Sequence, residues 1–125
     1  MRRIIGSVFL SLDGVMQAPG GPTEDPRGGF KFGGWIPPHS DDITGNAIGK
    51  IIMGEYDLLL GKKTYEIFAA YWPYFGDDNP VARPFNRTKK YVLTSSNDTL
   101  DWNNSHRVAS IEELKKSNLA AGQIF

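Results

Sequence analysis

Between residues 17 and 40 the chain carries Pro19, Gly20, Gly21, Pro22, Pro26, Gly28, Gly29, Gly33, Gly34, Pro37 and Pro38, a density of breakers that no regular helix or strand survives. This segment constrains the fold most, because regular structure must be built from what lies on either side of it. A stretch of this length without regular structure is usually a functional lid or a disordered linker. Phe30, Phe32, Trp35 and Ile36 argue against a linker, since large apolar groups need a surface to pack on. The expectation is a lid, with Trp35 seated against the body and the Gly-Pro part mobile.

Around this segment, hydrophobic periodicity predicts alternating elements. Residues 4–10 read as a buried strand, rich in β-branched and aromatic side chains. A helix is expected to begin at Ser40 or Asp41, with Ile43, Ala47, Ile48, Ile51 and Ile52 on one face. Gly45 and Gly49 weaken it by about 1 kcal/mol each, and Gly54 is its stop. Residues 57–60 read as a short buried strand, Gly61 turns the chain into a helix over 64–71, and Pro73 ends that helix. Residues 75–89 read as a polar connection, 91–94 as a third strand and 106–109 as a fourth. Ser110 and Glu113 have capping-box spacing, which starts a helix running to Lys116. After Gly122, residues 123–125 read as the start of another strand. Strands alternating with helices imply an α/β sheet with parallel neighbours, and 125 residues allow one domain at most.

Several function classes are disfavoured by composition. Fourteen basic and fourteen acidic residues cancel, so no global field attracts nucleic acid or an anionic membrane, and any anion recognition must be local. With no cysteine there is no disulfide framework, thiolate zinc site or cysteine nucleophile. The apolar stretch after Arg2 and Arg3 is too short for a secretory leader and is broken by Ser7 and Ser11. No run approaches the roughly 20 apolar residues of a membrane span. The reading is a soluble, cytoplasmic protein. His39 and His106 lack ligand spacing with any carboxylate, so no metal site is expected.

Leu58-Leu59-Leu60-Gly61-Lys62-Lys63-Thr64-Tyr65 is the most informative run. A strand ends, glycine lets the backbone turn closely, and a helix starts with its free amides outward, an arrangement that favours an anion. Lys62 and Lys63 add full charges, and Thr64 is placed to cap the helix or touch a phosphate oxygen. The alternative is a capped helix with two solvated lysines. A P-loop is excluded, because Tyr56 stands at its first glycine and Lys63 at its hydroxyl position. Thr94-Ser95-Ser96 follows a strand, where parallel sheets gather ligands, and its hydroxyls would suit a phosphate, although taken alone the segment reads as an ordinary polar turn. Ser11-Leu12-Asp13-Gly14-Val15 sets a carboxylate and a glycine after the first strand, suited to ligand hydroxyls or a polar ring, or else to a plain turn.

Taken in order, these segments resemble the dihydrofolate reductase superfamily, and most closely its branch related to the reductase domain of bifunctional riboflavin-biosynthesis deaminase-reductases. The likeness rests on Ser11-Leu12-Asp13-Gly14, Gln17-Ala18-Pro19-Gly20-Gly21-Pro22, Gly33-Gly34-Trp35, Leu59 through Glu66, Tyr71-Trp72-Pro73 and Tyr91-Val92-Leu93-Thr94. It implies a dihydrofolate-reductase-like mixed α/β sheet flanked by helices. It also implies an NADPH-dependent reductase passing a hydride from nicotinamide to a C=N or C=O carbon of a pyrimidine- or pteridine-like heterocycle, with a carboxylate or water supplying the proton. On this resemblance Gly61, Lys62, Lys63 and Thr64 lie against the cofactor phosphates, the lysines where a basic residue meets the 2′-phosphate, and Thr94, Ser95 and Ser96 lie near the adenosine end. Asp13 and Asp42 are the catalytic carboxylates, and Ser11, Gly14, Trp35 and Asp41 flank the substrate. Either Asp41 or Asp42 holds the acidic position that orients the heterocycle.

Two departures from the family pattern follow. Lysine replaces the commoner arginine after Gly61, which loses the bidentate fork. Family members also continue past the equivalent of Phe125 into a glycine-rich turn and further strands, so the resemblance implies a partial domain. The resembled fold sets strand 4–10 centrally, beside the strand that begins near Ile124. An open apolar edge there invites association, so a homo-oligomer, or residues 120–125 folded back over the edge, is expected. The competing reading is a non-catalytic nucleotide-binding fragment, or a structural subunit whose sheet another chain completes.

Overall fold

The computed structural model describes residues 3–116 and 123–124. In chain order the regular elements are β1 (Arg3–Ile4), α1 (Asp42–Ile52), β2 (Tyr56–Gly61), α2 (Lys62–Ala69), α3 (Ala82–Arg87), β3 (Lys90–Leu93), β4 (Ser105–Val108), α4 (Ile111–Lys116) and β5 (Gln123–Ile124). Short 3-10 turns stand at Arg27–Gly29, Pro37–His39 and Trp72–Tyr74. The strands form one sheet in the order β1-β5-β2-β3-β4, and every neighbouring pair is parallel. This bears out an α/β class with parallel neighbours. The contacts divide the chain into two compact units, one of Met1–Ile5 with Ile51–Phe125 and the other of Gly6–Lys50.

In the first unit, strand alternation selects the core. Tyr56, Leu58 and Leu60 are buried along one face of β2, and the register sets Leu58 beside Lys90 and Leu60 beside Val92. Tyr65 from α2 and Trp102 close over this face, with Ile52, Phe68, Ala69, Trp72, Phe85 and Leu100 packed around them. Trp102 is anchored twice: its backbone N–H donates to the Tyr65 hydroxyl at 2.9 Å, and its indole N–H donates to Asn86 Oδ1 at 2.9 Å.

Several expectations need correction. The strand expected over 4–10 pairs only at Arg3 and Ile4; residues 6–10 have no regular structure, and Val8 and Leu10 are exposed. Apolar composition alone could not bury this run, because no described strand pairs with it beyond Ile4. β1 is also the last strand in the sheet order rather than a central one. The connection expected over 75–89 contains α3, which Pro84 disguised. Pro84 sits in the first helical turn, where its missing N–H is not needed, and Asn79 Oδ1 accepts from the N–H groups of Val81 and Ala82. The face assigned to α1 is not a buried one: none of its residues is buried and Ile43 is 78% exposed. α2 starts earlier than expected, directly after Gly61. The capping box at α4 forms, with Glu113 N–H donating to Ser110 Oγ at 3.1 Å and Ala109 N–H donating to Glu113 Oε2 at 2.7 Å. β5 lies where a strand was expected after Gly122; Gly122 and Phe125 themselves lie outside the described residues.

At the start of β3 the core contains a charge. Lys90 is fully buried, and its ammonium donates to the carbonyls of Asn86 at 3.1 Å, Thr88 at 3.0 Å and Asn103 at 3.0 Å, using all the protons it has. The Trp102 ring lies 4.3 Å from the same nitrogen. The Asn86 carbonyl belongs to the last turn of α3, where the helix dipole favours a cation. Burial pulls the Lys90 amine down to about 8, so the group is still an ammonium at neutral pH. Burial pushes the Tyr56 phenol up to about 12.

Two outcomes follow from these groups. Lys90→Met leaves three carbonyl oxygens without this donor and destabilises the protein by on the order of 3 kcal/mol, measured by urea denaturation. Between pH 8 and 10 the unfolded chain holds the Lys90 proton more tightly than the native one, so stability rises with pH. Above pH 10 the native state retains the Tyr56 proton that the unfolded chain releases, so stability falls. A denaturation midpoint that is flat from pH 8 to 12 contradicts both assignments, and Tyr56→Phe should remove much of the fall.

Candidate functional site

The run that most favoured an anion lies at the carboxyl end of β2. Gly61 pairs with Leu93, the residue before Thr94, so the turn into α2 and the exit from β3 lie side by side. Gly61 is the N-cap of α2 with extended geometry, and no side chain caps the helix. The first-turn N–H groups, including those of Lys62, Lys63 and Thr64, therefore lack an intrahelical acceptor. Thr64 lies inside the first turn and is exposed, so it is not the cap. A Cβ built on Gly61 meets nothing within 4 Å, so the cap position itself borders open space.

The two lysines differ. Lys62 lies 3.4 Å from Glu66 Oε1 and 3.4 Å from Asp98 Oδ2, whereas Lys63 has no ion-pair partner among the described residues. Partial desolvation opposes the charge on Lys62, but the two hydrogen-bonded carboxylates outweigh it and raise its pKa. Beyond β3, Thr94 Oγ1 accepts from Ser96 N–H at 3.0 Å, and Ser96 Oγ accepts from Asp98 N–H at 3.1 Å. Ser95 is exposed. The Ser96 hydroxyl, then Lys62, hold the Asp98 carboxyl below its ordinary value. The structure thus brings Gly61, Lys62, Lys63 and Thr64 together with the segment Thr94, Ser95 and Ser96. Glu66 was legible as the i,i+4 partner of Lys62. Asp98 was not, because nothing in local sequence joins it to a lysine before β3.

The expected substrate-side residues Ser11, Asp13, Gly14, Trp35, Asp41 and Asp42 all lie in the unit Gly6–Lys50. Ser11 and Asp13 form a turn: Gly14 N–H donates to Ser11 O at 3.0 Å with Gly14 at φ 88°, and Ser11 Oγ donates to Asp13 Oδ1 at 2.5 Å. That hydroxyl is the main reason the Asp13 carboxyl sits below its usual range, which suits it to accept hydrogen bonds rather than to donate a proton. Asp41 Oδ1 accepts from Thr44 N–H at 2.7 Å and is the N-cap of α1, a bond that lowers its pKa. Asp42, the first residue of the helix, is exposed.

The Gly-Pro segment fixes its own path. Gly34 N–H donates to Ala18 O at 2.8 Å, Ile36 N–H to Pro19 O at 3.0 Å, and the Trp35 indole N–H to Gln17 O at 3.0 Å. Glu24 Oε2 accepts from the amides of Gly20 and Gly21, and the Gln17 amide donates to the carbonyls of Asp25 and Arg27. Trp35 thus acts as a brace within the segment. Gly33 is required by crowding, since a Cβ there would lie 2.7 Å from Gly21 O and 2.9 Å from Pro22 O.

A separate depression of about 210 Å³ on β3 and β4 is lined by Lys89, Tyr91, His106, Arg107, Val108 and Glu113, none of them a residue expected at the site. Among the described residues no group of three or more His, Asp or Glu side chains is placed to hold a metal ion, and no helix is long and apolar enough to cross a membrane. The chain matches no protein-family model and no curated protein.

Gly33→Ala forces the two arms of the segment apart and costs roughly 1–3 kcal/mol of local stability. Hydrogen exchange is the check: the amides of Gly34 and Ile36 lose protection while those of Leu58 and Lys90 keep theirs.

Proposed function

We propose that this protein is an NADPH-dependent reductase of the dihydrofolate-reductase and riboflavin-reductase type, acting on a small pyrimidine- or pteridine-like heterocycle. The observation that carries the reading is the uncapped start of α2, open above Gly61, with Lys62 and Lys63 beside the exit of β3. Unpaired amides and fixed positive charge are the donor set a phosphate needs. That β1 lies beside β5 agrees with the neighbour the resemblance implies for the first strand, though not with its central place.

In this reading the first-turn amides of α2, with Lys62, Lys63 and Thr64, hold the cofactor phosphates, and Thr94, Ser95 and Ser96 border its adenosine end. When bound, NADPH supplies the hydride. Asp13, held ionised by Ser11, orients a polar substrate group by accepting its hydrogen bond. With Asp13 ionised and Asp41 committed to its helix cap, the proton comes from water or from Asp42. Homo-oligomerisation and a cytoplasmic location remain part of the proposal.

A second reading, a nucleotide-binding or structural subunit whose sheet another chain completes, is favoured by the exposure of Ile4, Val8 and Leu10. Turnover separates the two: NADPH oxidation with a carbonyl or imine acceptor is expected of the reductase and not of the subunit. For the cofactor, NADPH is expected to bind more tightly than NADH, with a difference that shrinks as salt is added. Replacing Lys62 and Lys63 together with alanine should erase most of that preference. Equal affinity of the unaltered protein for the two cofactors would remove the NADP assignment.

A further inference from the structure

Lys62 carries two carboxylates, and they are held differently. Glu66 stands one turn along the same helix. Asp98 has an exposed side chain too, but it comes from another segment whose backbone is anchored. Its own N–H is bonded to Ser96 Oγ, Ser96 is bonded in turn to Thr94 Oγ1, and Thr94 N–H donates to Val108 O at 3.0 Å, which ties the loop to β4. The chain therefore presents a carboxylate to Lys62 from an anchored backbone at a neighbouring strand exit. Lys63, one residue on, has no such partner among the described residues.

A carboxylate at a phosphate-reading lysine has two opposed effects. It repels a dianionic 2′-phosphate and takes up the charge that would bind it. It also accepts a hydrogen bond from a free ribose 2′-hydroxyl, the contact by which an acidic residue selects the unphosphorylated dinucleotide in other folds. Resting on the NADPH reading above, we infer that Asp98 is a specificity-determining residue that restrains the preference for the phosphorylated cofactor, leaving Lys63 as the principal reader of the 2′-phosphate.

The test is titration of NADPH and NADH, with 2′,5′-ADP and 5′-AMP as fragments, into the full chain and its Asp98→Asn, Asp98→Glu, Lys62→Ala and Lys62→Ala/Asp98→Asn variants. Asp98→Asn should raise the NADPH-to-NADH affinity ratio about fivefold at low salt, with a smaller gain at high salt. Asp98→Glu keeps the charge and should retain the original ratio, which separates an electrostatic role from a structural one. Measured against Lys62→Ala alone, the gain in the double variant should shrink, because there is no longer a Lys62 to unmask, and what remains reports the direct effect of the carboxylate on the ligand. If NADPH binds and Asp98→Asn leaves the ratio unchanged, or Asp98→Glu raises it equally, the role of Asp98 is overturned while the cofactor assignment stands. If no nucleotide binds to the unaltered protein or to Asp98→Asn, the cofactor assignment falls and takes this inference with it.

Discussion

The buried ammonium of Lys90 is the interaction around which the first unit is organised. A charge without water must be matched proton for proton, and here the matching groups come from the end of α3, the entry to β3 and the loop before β4. Backbone bonds already join these segments in pairs, Lys90 N–H to Asn104 O at 2.9 Å and Thr88 N–H to Pro84 O at 3.0 Å, and the ammonium ties all three at one point. Trp102 lies over the same nitrogen and, through Tyr65 and Asn86, ties α2 and α3 to the arrangement. The alternation of β2 and β3 supplies the apolar face, while Lys90 decides how the polar ends of the elements meet around it.

Much of this architecture was legible because it rests on local rules. Leu58, Leu60 and Val92 sit in short apolar runs bounded by Gly61 and Thr94, and Ser110 with Glu113 announces a helix start. What was not legible depended on partners distant in sequence. Pro84 looked like a breaker until Asn79 was seen capping the turn it occupies, and Val8, Phe9 and Leu10 looked like core although no described strand continues beside them. Nothing in the sequence marks Lys90 as buried, because its carbonyl partners are invisible to any pattern of side-chain types.

The candidate site divides along the same line. Gly61, Lys62, Lys63 and Thr64 are adjacent in sequence, and their anion-favouring chemistry follows from the strand-to-helix turn they occupy. Their electrostatics do not, since the charge on Lys62 is set as much by Asp98 as by its own helix. Among the acidic residues near the Gly-Pro segment, hydrogen bonding assigns roles that sequence left open: Asp41 is spent on capping α1, and Asp13 is fixed as an anion by Ser11. The brace from Trp35 to Gln17 gives the segment a defined course despite its glycines.

The sheet order also has a consequence for how the chain is made. β5 lies between β1 and β2, pairing Gln123 with both Arg3 and Tyr56, so among the described residues two strands separated by some fifty residues of chain are joined through one that is made well after both. β2, β3 and β4 are synthesised in sequence and find one another early, whereas β1, made before them, meets no partner among the described residues until 123 and 124 emerge. Until β5 emerges, the growing chain carries an unfilled slot beside β2 at Tyr56 and Asp57. Shielding that slot from other strands falls to whatever holds the growing chain, and the seam through β5 closes after the part of the sheet made by β2, β3 and β4.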